Sequence, residues 1–365
     1  MAKKAKSDNK GGIYSGFKKA SELSAEQKES SVCVPVGPKL DDALGGGIPS
    51  GTFVVVRTKQ KSGKTTLCMN IARNALLQGR RVFFFDVENR VLATKYLTLE
   101  NFDQDNPNFF YRSSETGLLL SAQTILSEQI QLMLMEENRG AVYIIDSFSK
   151  LVSKEVLDDP NVSGNRRSDI AKIQTDWLAK AGNLIRVSDS IVIGIQHLMV
   201  EQGGSSYMGP TMKPKGADGI NYEADISLES RSNPADLDGN TQFSEKDLSG
   251  VSMKLKIPYN KRKAPVNTKE GIVTYLRFGE GVYFAKEMFE LLQEYFVTHT
   301  DENQETVLIP MLLRAGAWYQ FNCGEINDRV QGAEKAIEVI ENNKKYFEEL
   351  HKKNMIEMYD AKYDL

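Results

Sequence analysis

Short, wholly apolar runs alternate with longer amphipathic ones through the middle of the chain. The runs at 53–56, 82–85, 142–145 and 191–195 are β-branched or aromatic, which predicts strands buried on both faces. Between them, 65–78, 122–137 and 169–187 repeat their apolar positions at helical spacing. Strands alternating with helices predict an α/β fold with a mostly parallel central sheet. After Asp225 stricter alternation sets in at 252–256 and 272–277, and predicts strands that extend the same sheet. From about Met288 the pattern reads as a small α-rich domain ending in a charged helix. Ahead of the sheet, a short helix ends at Gly45, Gly46 and Gly47. The weakly amphipathic stretch 13–30 carries Ser24 and Gln27 at capping-box spacing, so it reads as one helix or two shorter ones.

The 365 residues suggest about two domains plus appendages. With 41% hydrophobic and 26% charged residues the chain has the balance of a soluble globular protein, which excludes a mostly disordered one. No apolar run approaches the ~20 residues that span a bilayer, so no membrane partner is expected. The three cysteines are far apart without a CxxC pair, which argues against a zinc site or disulfide framework and fits a reducing compartment. The 46 basic and 49 acidic side chains nearly cancel, so any nucleic-acid contact must come from local basic patches. The first twelve residues are Lys-rich with no apolar stretch behind them, and read as a disordered basic arm rather than a signal peptide.

The strand at 53–56 runs into Thr58-Lys59-Gln60-Lys61-Ser62-Gly63-Lys64-Thr65-Thr66 and then into a helix. A strand, a loop closing on Gly-Lys-Thr and a helix N-terminus place backbone N–H groups, a helix dipole and an ammonium around a polyphosphate. In this reading Lys64 reaches the β/γ-phosphates, Thr65 ligates Mg²⁺ and Gly63 lets the backbone approach closely. Thr58 stands where the first glycine of GxxxxGK[ST] belongs. Two further apolar strands end in carboxylates. Asp146 follows 142–145, where a carboxylate holds the Mg²⁺ hydration shell in P-loop enzymes. Asp86 and Glu88 follow 82–85, where one carboxylate orients an attacking water.

These segments resemble the RecA family of ATP-dependent recombinases, with affinity also to the phage UvsX branch. The resemblance runs from about Lys39 to Asn342 and includes LDDALGGGIPSGTFVVV, SGKTTL, FFDVEN, VYIIDSFSKL, IVIGIQH, FGEGV and GAWY. It implies a RecA-like P-loop ATPase core over 32–287 with DNA-binding loops, a basic arm and oligomerisation helix over 1–31, and a small C-terminal α+β domain over 288–365. Glu88 matches the family's catalytic glutamate and Asp146 its Mg²⁺-associated aspartate. Gln196 and His197 close the strand where the family senses the γ-phosphate. The usual residue at the second position is Gln, and His197 resembles the UvsX branch. Phe278 sits where the family has an aromatic near adenine, with core packing as its rival role. The family's other adenine contacts fall at Leu92 and at Lys95 or Tyr96, which do not match.

The same resemblance places two DNA-binding loops. One is near 160–168, with Arg166 and Arg167. The other follows His197, a Gly-rich stretch without evident secondary structure that contains Gly203, Gly204, Tyr207, Met208, Lys213 and Lys215. The run from Tyr259 to Pro265 resembles the segment whose cations reach a neighbouring subunit's ATP. Counting back from Ala264-Pro265 selects Tyr259 and Lys261, while strand alternation permits Lys261 with Lys263.

The function implied is a DNA-dependent ATPase of homologous recombination and DNA repair. It uses ATP and Mg²⁺, forms a helical filament of its own copies on single-stranded DNA, and exchanges strands with a homologous duplex. Single-strand-binding and mediator proteins are further expected partners, in the cytoplasm of a bacterial or phage-infected cell. Two rivals stand beside this reading. One is a ring-shaped RecA-like motor; the other, motivated by Thr58, is an accessory paralogue that binds ATP and DNA without hydrolysis.

Overall fold

The computed structural model describes residues 32–58, 62–90, 99–115, 118–159, 167–200, 212–214, 218–235, 237, 249–258, 271–300 and 306–363. Residues Cys33–Leu365 form one compact unit. The reading of residues 1–31 as a basic arm and helix lies outside the described residues.

β1 (Cys33–Val34) and β2 (Ile48–Pro49) make a small antiparallel pair around the helix Pro38–Leu44. That helix starts with proline in its first turn and stops where Gly45 adopts the left-handed conformation, φ 69°. The large sheet then takes β3 (Thr52–Thr58), β4 (Val82–Asp86), β5 (Phe109–Ser113), β6 (Val142–Asp146), β7 (Ile191–Val200), β8 (Met212–Pro214), β9 (Ile226–Ala235), β10 (Gly250–Lys256), β11 (Ile272–Arg277) and β12 (Gly281–Val282). Its order is β12-β11-β10-β9-β3-β7-β6-β4-β5, with β8 paired to β7. From β9 to β5 every pairing is parallel. β10, β11 and β12 extend the sheet in antiparallel fashion.

Burial explains the continuous apolar strands. All of Thr52–Thr58, Val82–Asp86 and Val142–Asp146 is buried. Alternate residues serve two cores, each side chain contributing about 1.5–3 kcal/mol. Val54, Val56, Phe84 and Ile144 meet the helix Lys64–Leu77 on one face. Phe53, Val55, Phe83 and Tyr143 belong to the other, with the helices Ala122–Met133 and Arg167–Val187. There Phe53 packs edge-on to Trp177, ring centroids 5.5 Å apart, and the Trp177 indole N–H donates to Gln129 Oε1 at 3.0 Å. Ser121 caps the helix Ala122–Met133 by accepting from the Thr124 N–H.

Three expectations are corrected. The helix expected to reach residue 137 stops at Met133, and a single 3₁₀ turn, Glu136–Asn138, follows. The stretch after His197 is not wholly irregular: β7 runs on to Val200 and pairs with β8, because Leu198, Met199 and Val200 continue the apolar strand. The α-rich reading beyond Met288 gives way to five short strands beside two helices. They are β13 (Phe296–Thr300), β14 (Thr306–Pro310), β15 (Leu312–Ala315), β16 (Trp318–Phe321) and β17 (Arg329–Gln331). With Ala333–Asn342 and Lys344–Tyr363 they surround a third core that includes Leu312, Phe321, Ile340 and Phe347.

Candidate nucleotide site

Parallel strands end at a common edge, and that edge collects the chemistry. Thr58 stands level with His197 across β3 and β7, and Asp86 with Asp146 across β4 and β6. Gly63 takes φ +85°, a left-handed conformation that lets the chain turn from the loop into the helix Lys64–Leu77. A Cβ built on Gly63 would lie 2.8 Å from Leu276 Cδ1, so the loop end is seated directly against β11. Thr58 is buried at the strand end, and its hydroxyl is in hydrogen-bonding contact with that of Ser62. A side-chain bridge therefore spans the loop where a glycine was expected. Lys59, Gln60 and Lys61 lie outside the described residues.

Lys64 is buried at the first helical position. Burial lowers its pKa, and the charges of Asp146 and Glu88 oppose that shift. Thr65 Oγ1 donates to Asp146 Oδ2 at 2.8 Å. Burial raises the Asp146 carboxyl to about 6, against the lowering effect of the Thr65 hydrogen bond. A hydroxyl and a buried carboxylate beside a lysine form an oxygen donor set that fits Mg²⁺ held mainly by phosphates and water. Among the described residues no group of three or more His, Cys, Asp or Glu makes an all-protein metal cage. Thr66 is buried in the first turn.

The two carboxylates after β4 separate into different roles. Asp86 Oδ2 accepts from the Arg90 N–H at 2.7 Å and from the Tyr111 hydroxyl at 2.5 Å, and so fixes its own turn. Glu88 faces β6 and β7. Its Oε1 accepts from Ser147 Oγ at 3.0 Å and lies 2.8 Å from His197 Nε2, while Arg90 approaches its Oε2 at 3.2 Å. The hydrogen bond with His197 is the chief reason the Glu88 carboxyl is held near 2, and burial opposes it. Such a carboxylate stays ionised and able to accept a hydrogen bond from water. The His197 backbone N–H is in turn anchored on Ser149 Oγ at 2.8 Å.

Gln196 and His197 are neighbours on a strand and therefore point to opposite faces. His197 goes with Glu88. Gln196 is buried and accepts from Arg57 Nε at 3.0 Å through Oε1, while its Nε2 has no hydrogen-bond partner among the described residues. Arg57, itself buried, also donates to Ser227 Oγ at 2.9 Å and Glu229 Oε1 at 3.1 Å, tying β3 to β7 and β9. The sequence reading missed Arg57, although one guanidinium in an otherwise apolar strand was a usable signal. Phe278 is 57% exposed, which removes core packing as its role.

Arg167 opens the helix Arg167–Val187, and Lys213 stands in β8 opposite Met199. Arg166, Gly203, Gly204, Tyr207, Met208, Lys215, Tyr259, Lys261 and Lys263 lie outside the described residues, as do Leu92, Lys95 and Tyr96.

A family model described as the RecA N-terminal domain matches residues 13–283. The chain is 26% identical over 348 residues to Protein RecA of Francisella philomiragia subsp. philomiragia, which covers 93% of this chain and 85% of that relative. It is 26% identical over 324 residues to Protein RecA of Streptococcus parasanguinis, covering 86% of this chain and 74% of the relative. Protein RecA of Francisella tularensis subsp. novicida is 26% identical over 308 residues, covering 83% and 74%.

Proposed function

Since this chain belongs to the RecA family, we propose that it is an ATP-dependent recombinase of DNA repair that polymerises on single-stranded DNA and pairs it with a homologous duplex. One observation carries the catalytic part. Lys64, the Thr65–Asp146 pair and the Glu88–His197 pair, drawn from four separate segments, meet at one edge of the sheet.

In this reading the loop from Thr58 to Thr66 wraps the phosphates of ATP, with Lys64 at the β/γ end. Mg²⁺, held by Thr65, Asp146, the phosphates and water, supplies charge neutralisation at the transferred phosphoryl group. Glu88 orients the attacking water and accepts its proton. His197 holds Glu88 and senses the γ-phosphate, with Gln196 behind it on the opposite face of the strand. Phe278 lies against the base. Lys261, together with Tyr259 or Lys263, reaches a neighbouring subunit's ATP, so hydrolysis depends on assembly.

DNA is gripped by the two loops that hold Arg166, Arg167, Gly203, Gly204, Tyr207, Met208, Lys213 and Lys215. Their cations take the backbone and their apolar groups wedge between bases, so binding is independent of sequence and falls steeply with salt. Residues 1–31 make the contact between subunits, 32–287 form the ATPase core and 288–365 a small C-terminal domain. Single-strand-binding and mediator proteins are further partners, and the setting is bacterial or phage-infected cytoplasm. Among the described residues no helix is long and apolar enough to cross a membrane.

The test is ATP hydrolysis with and without long single-stranded DNA, with Lys64→Ala as control and electron microscopy of the complexes. Strong stimulation by DNA, lost in Lys64→Ala, together with filaments whose length follows the DNA is the expected result. Rings, or DNA binding that needs ATP but proceeds without turnover, would overturn it.

A further inference from the structure

Helix Lys64–Leu77, which begins at the phosphate loop, carries a polar stripe at Asn70, Arg73 and Asn74 that continues to Gln78 just past its end. Three of these side chains hold the backbone that enters the domain. Asn70 Nδ2 donates to the Val36 carbonyl at 2.7 Å, Asn74 Nδ2 to Pro35 at 2.8 Å and Gln78 Nε2 to Cys33 at 2.9 Å. Arg73 holds something else. Its NH1 donates to the Glu280 carbonyl at 2.6 Å and the Glu100 carbonyl at 3.1 Å, and its NH2 to Asn70 Oδ1 at 2.7 Å. The Glu100 N–H closes the figure by donating to the Gly279 carbonyl at 2.7 Å. Asn70 Oδ1 also accepts from the Val282 N–H at 3.1 Å. Two segments far apart in sequence are thereby fastened to each other and to the helix.

The turn held in this way is next to the phosphate loop. Leu276, on β11, is the residue against which Gly63 is seated. Phe278, two residues on, presents its ring at the head of the clasped turn, more than half exposed. An exposed aromatic just beyond the contact with a phosphate loop is a stacking surface for the flat group that such phosphates carry.

We infer that Arg73 is a positioning residue for the base half of the nucleotide: by clasping the 278–280 turn to Glu100 and the helix, it holds the Phe278 ring where a purine stacks. The inference rests on the nucleotide reading above and adds a residue that does not touch the phosphates. The planar fork of a guanidinium suits the task, since three acceptors in different directions must be met at once; an ammonium is a point donor on a flexible stem.

The experiment is calorimetric titration of the full chain with ATP and, separately, with inorganic tripolyphosphate, which has no base. Arg73→Ala is expected to weaken ATP by about tenfold, the scale of one lost base–aromatic stack, while tripolyphosphate stays within about twofold. Arg73→Lys should recover only part of the loss. Phe278→Ala should add little in the Arg73→Ala background, because the ring is already misplaced. The inference is overturned if ATP binding is unchanged in Arg73→Ala. It is equally overturned if ATP and tripolyphosphate weaken together, or if Phe278→Ala exerts its full effect on top of Arg73→Ala. Wild-type protein that binds neither ligand would remove the nucleotide reading itself and this inference with it.

Discussion

His197 Nε2 lies 2.8 Å from Glu88 Oε1 although 109 residues separate them in sequence. The pair joins the end of β7 to the turn after β4, so the carboxylate assigned to water activation is oriented by the strand that leads into the Gly-rich loop. Glu88→Gln should lower ATP turnover by about 10²–10⁴, the usual worth of a general base, and leave ATP-dependent DNA binding intact. Steady-state hydrolysis beside a filter-binding assay checks both. Turnover at the wild-type rate would refute the assignment.

The same contact sets a pH dependence. The imidazole is the chief cause of the Glu88 carboxyl lying near 2 rather than near 4.5, and burial acts in the other direction. A carboxylate with a depressed value is ionised above it, so in the wild type Glu88 stays ionised through mildly acidic pH. With His197→Ala the opposing burial is uncovered and the value rises. The acid limb of kcat/KM should then move to higher pH, while His197→Gln, which keeps a hydrogen-bonding group, should shift less.

Thr58 is expected to help rather than harm the phosphate loop. Its hydroxyl contacts Ser62 across the loop, so Thr58→Gly removes a closure. A neutral hydrogen bond of about 1 kcal/mol corresponds to roughly fivefold weaker ATP binding, and Thr58→Ser should stay near wild type. Titration with a fluorescent ATP analogue distinguishes the two. Tighter binding in Thr58→Gly would show that the departure from the glycine pattern costs affinity.

Gly194 leaves room for one ring. A Cβ there would stand 2.4 Å from Phe148 Cε2 and 2.5 Å from Cδ2, with strand and ring both buried. Gly194→Ala should cost about 1–3 kcal/mol through overpacking, read as a lower denaturation midpoint. Because Phe148 follows Asp146 by two residues, nucleotide affinity should fall as well.

His351 should make the protein sensitive to acid. It is buried, stacks on Tyr295 and lies 3.2 Å from the Tyr295 hydroxyl through Nδ1, and burial lowers its value to about 4. The unfolded chain binds this proton near 6.5 and the folded one only near 4, so stability declines as pH falls through that window. His351→Phe keeps a flat ring against Tyr295 without the titration. Its melting temperature should drop less between pH 7.5 and 5 than that of the wild type.

What was legible in the sequence was what a strand's own composition announces. The runs around Val54, Phe84, Ile144 and Ile193 are apolar on both faces because both faces are buried, and each ends in a residue that reaches the common edge. β5, FFYRS, escaped notice because an edge strand is only half buried, and β9, ISLESRSNPA, because its polar residues mask it. The C-terminal strands are short and only partly buried; Thr298, His299 and Thr300 of β13 carry no apolar alternation. In the site, Lys64, Thr65, Asp146, Glu88 and His197 follow from strand ends and resemblance. Arg73 does not, since the Glu280 carbonyl it holds lies 207 residues away; Arg57 stands out as a lone guanidinium in an apolar strand, but nothing local names its partner Gln196, 139 residues on.

The strand order also imposes a timetable on synthesis. β3 is made early but lies between β7 and β9, partners reached only when Arg57 meets Gln196, 139 residues on, and Phe53 meets Asp225, 172 residues on. At about 5–20 residues per second, ribosomes leave this apolar strand without either neighbour for roughly 7–28 seconds. A nascent chain halted before β9 would carry Val54, Val55 and Val56 on an open edge, a target for chaperones and for stray strands of other chains.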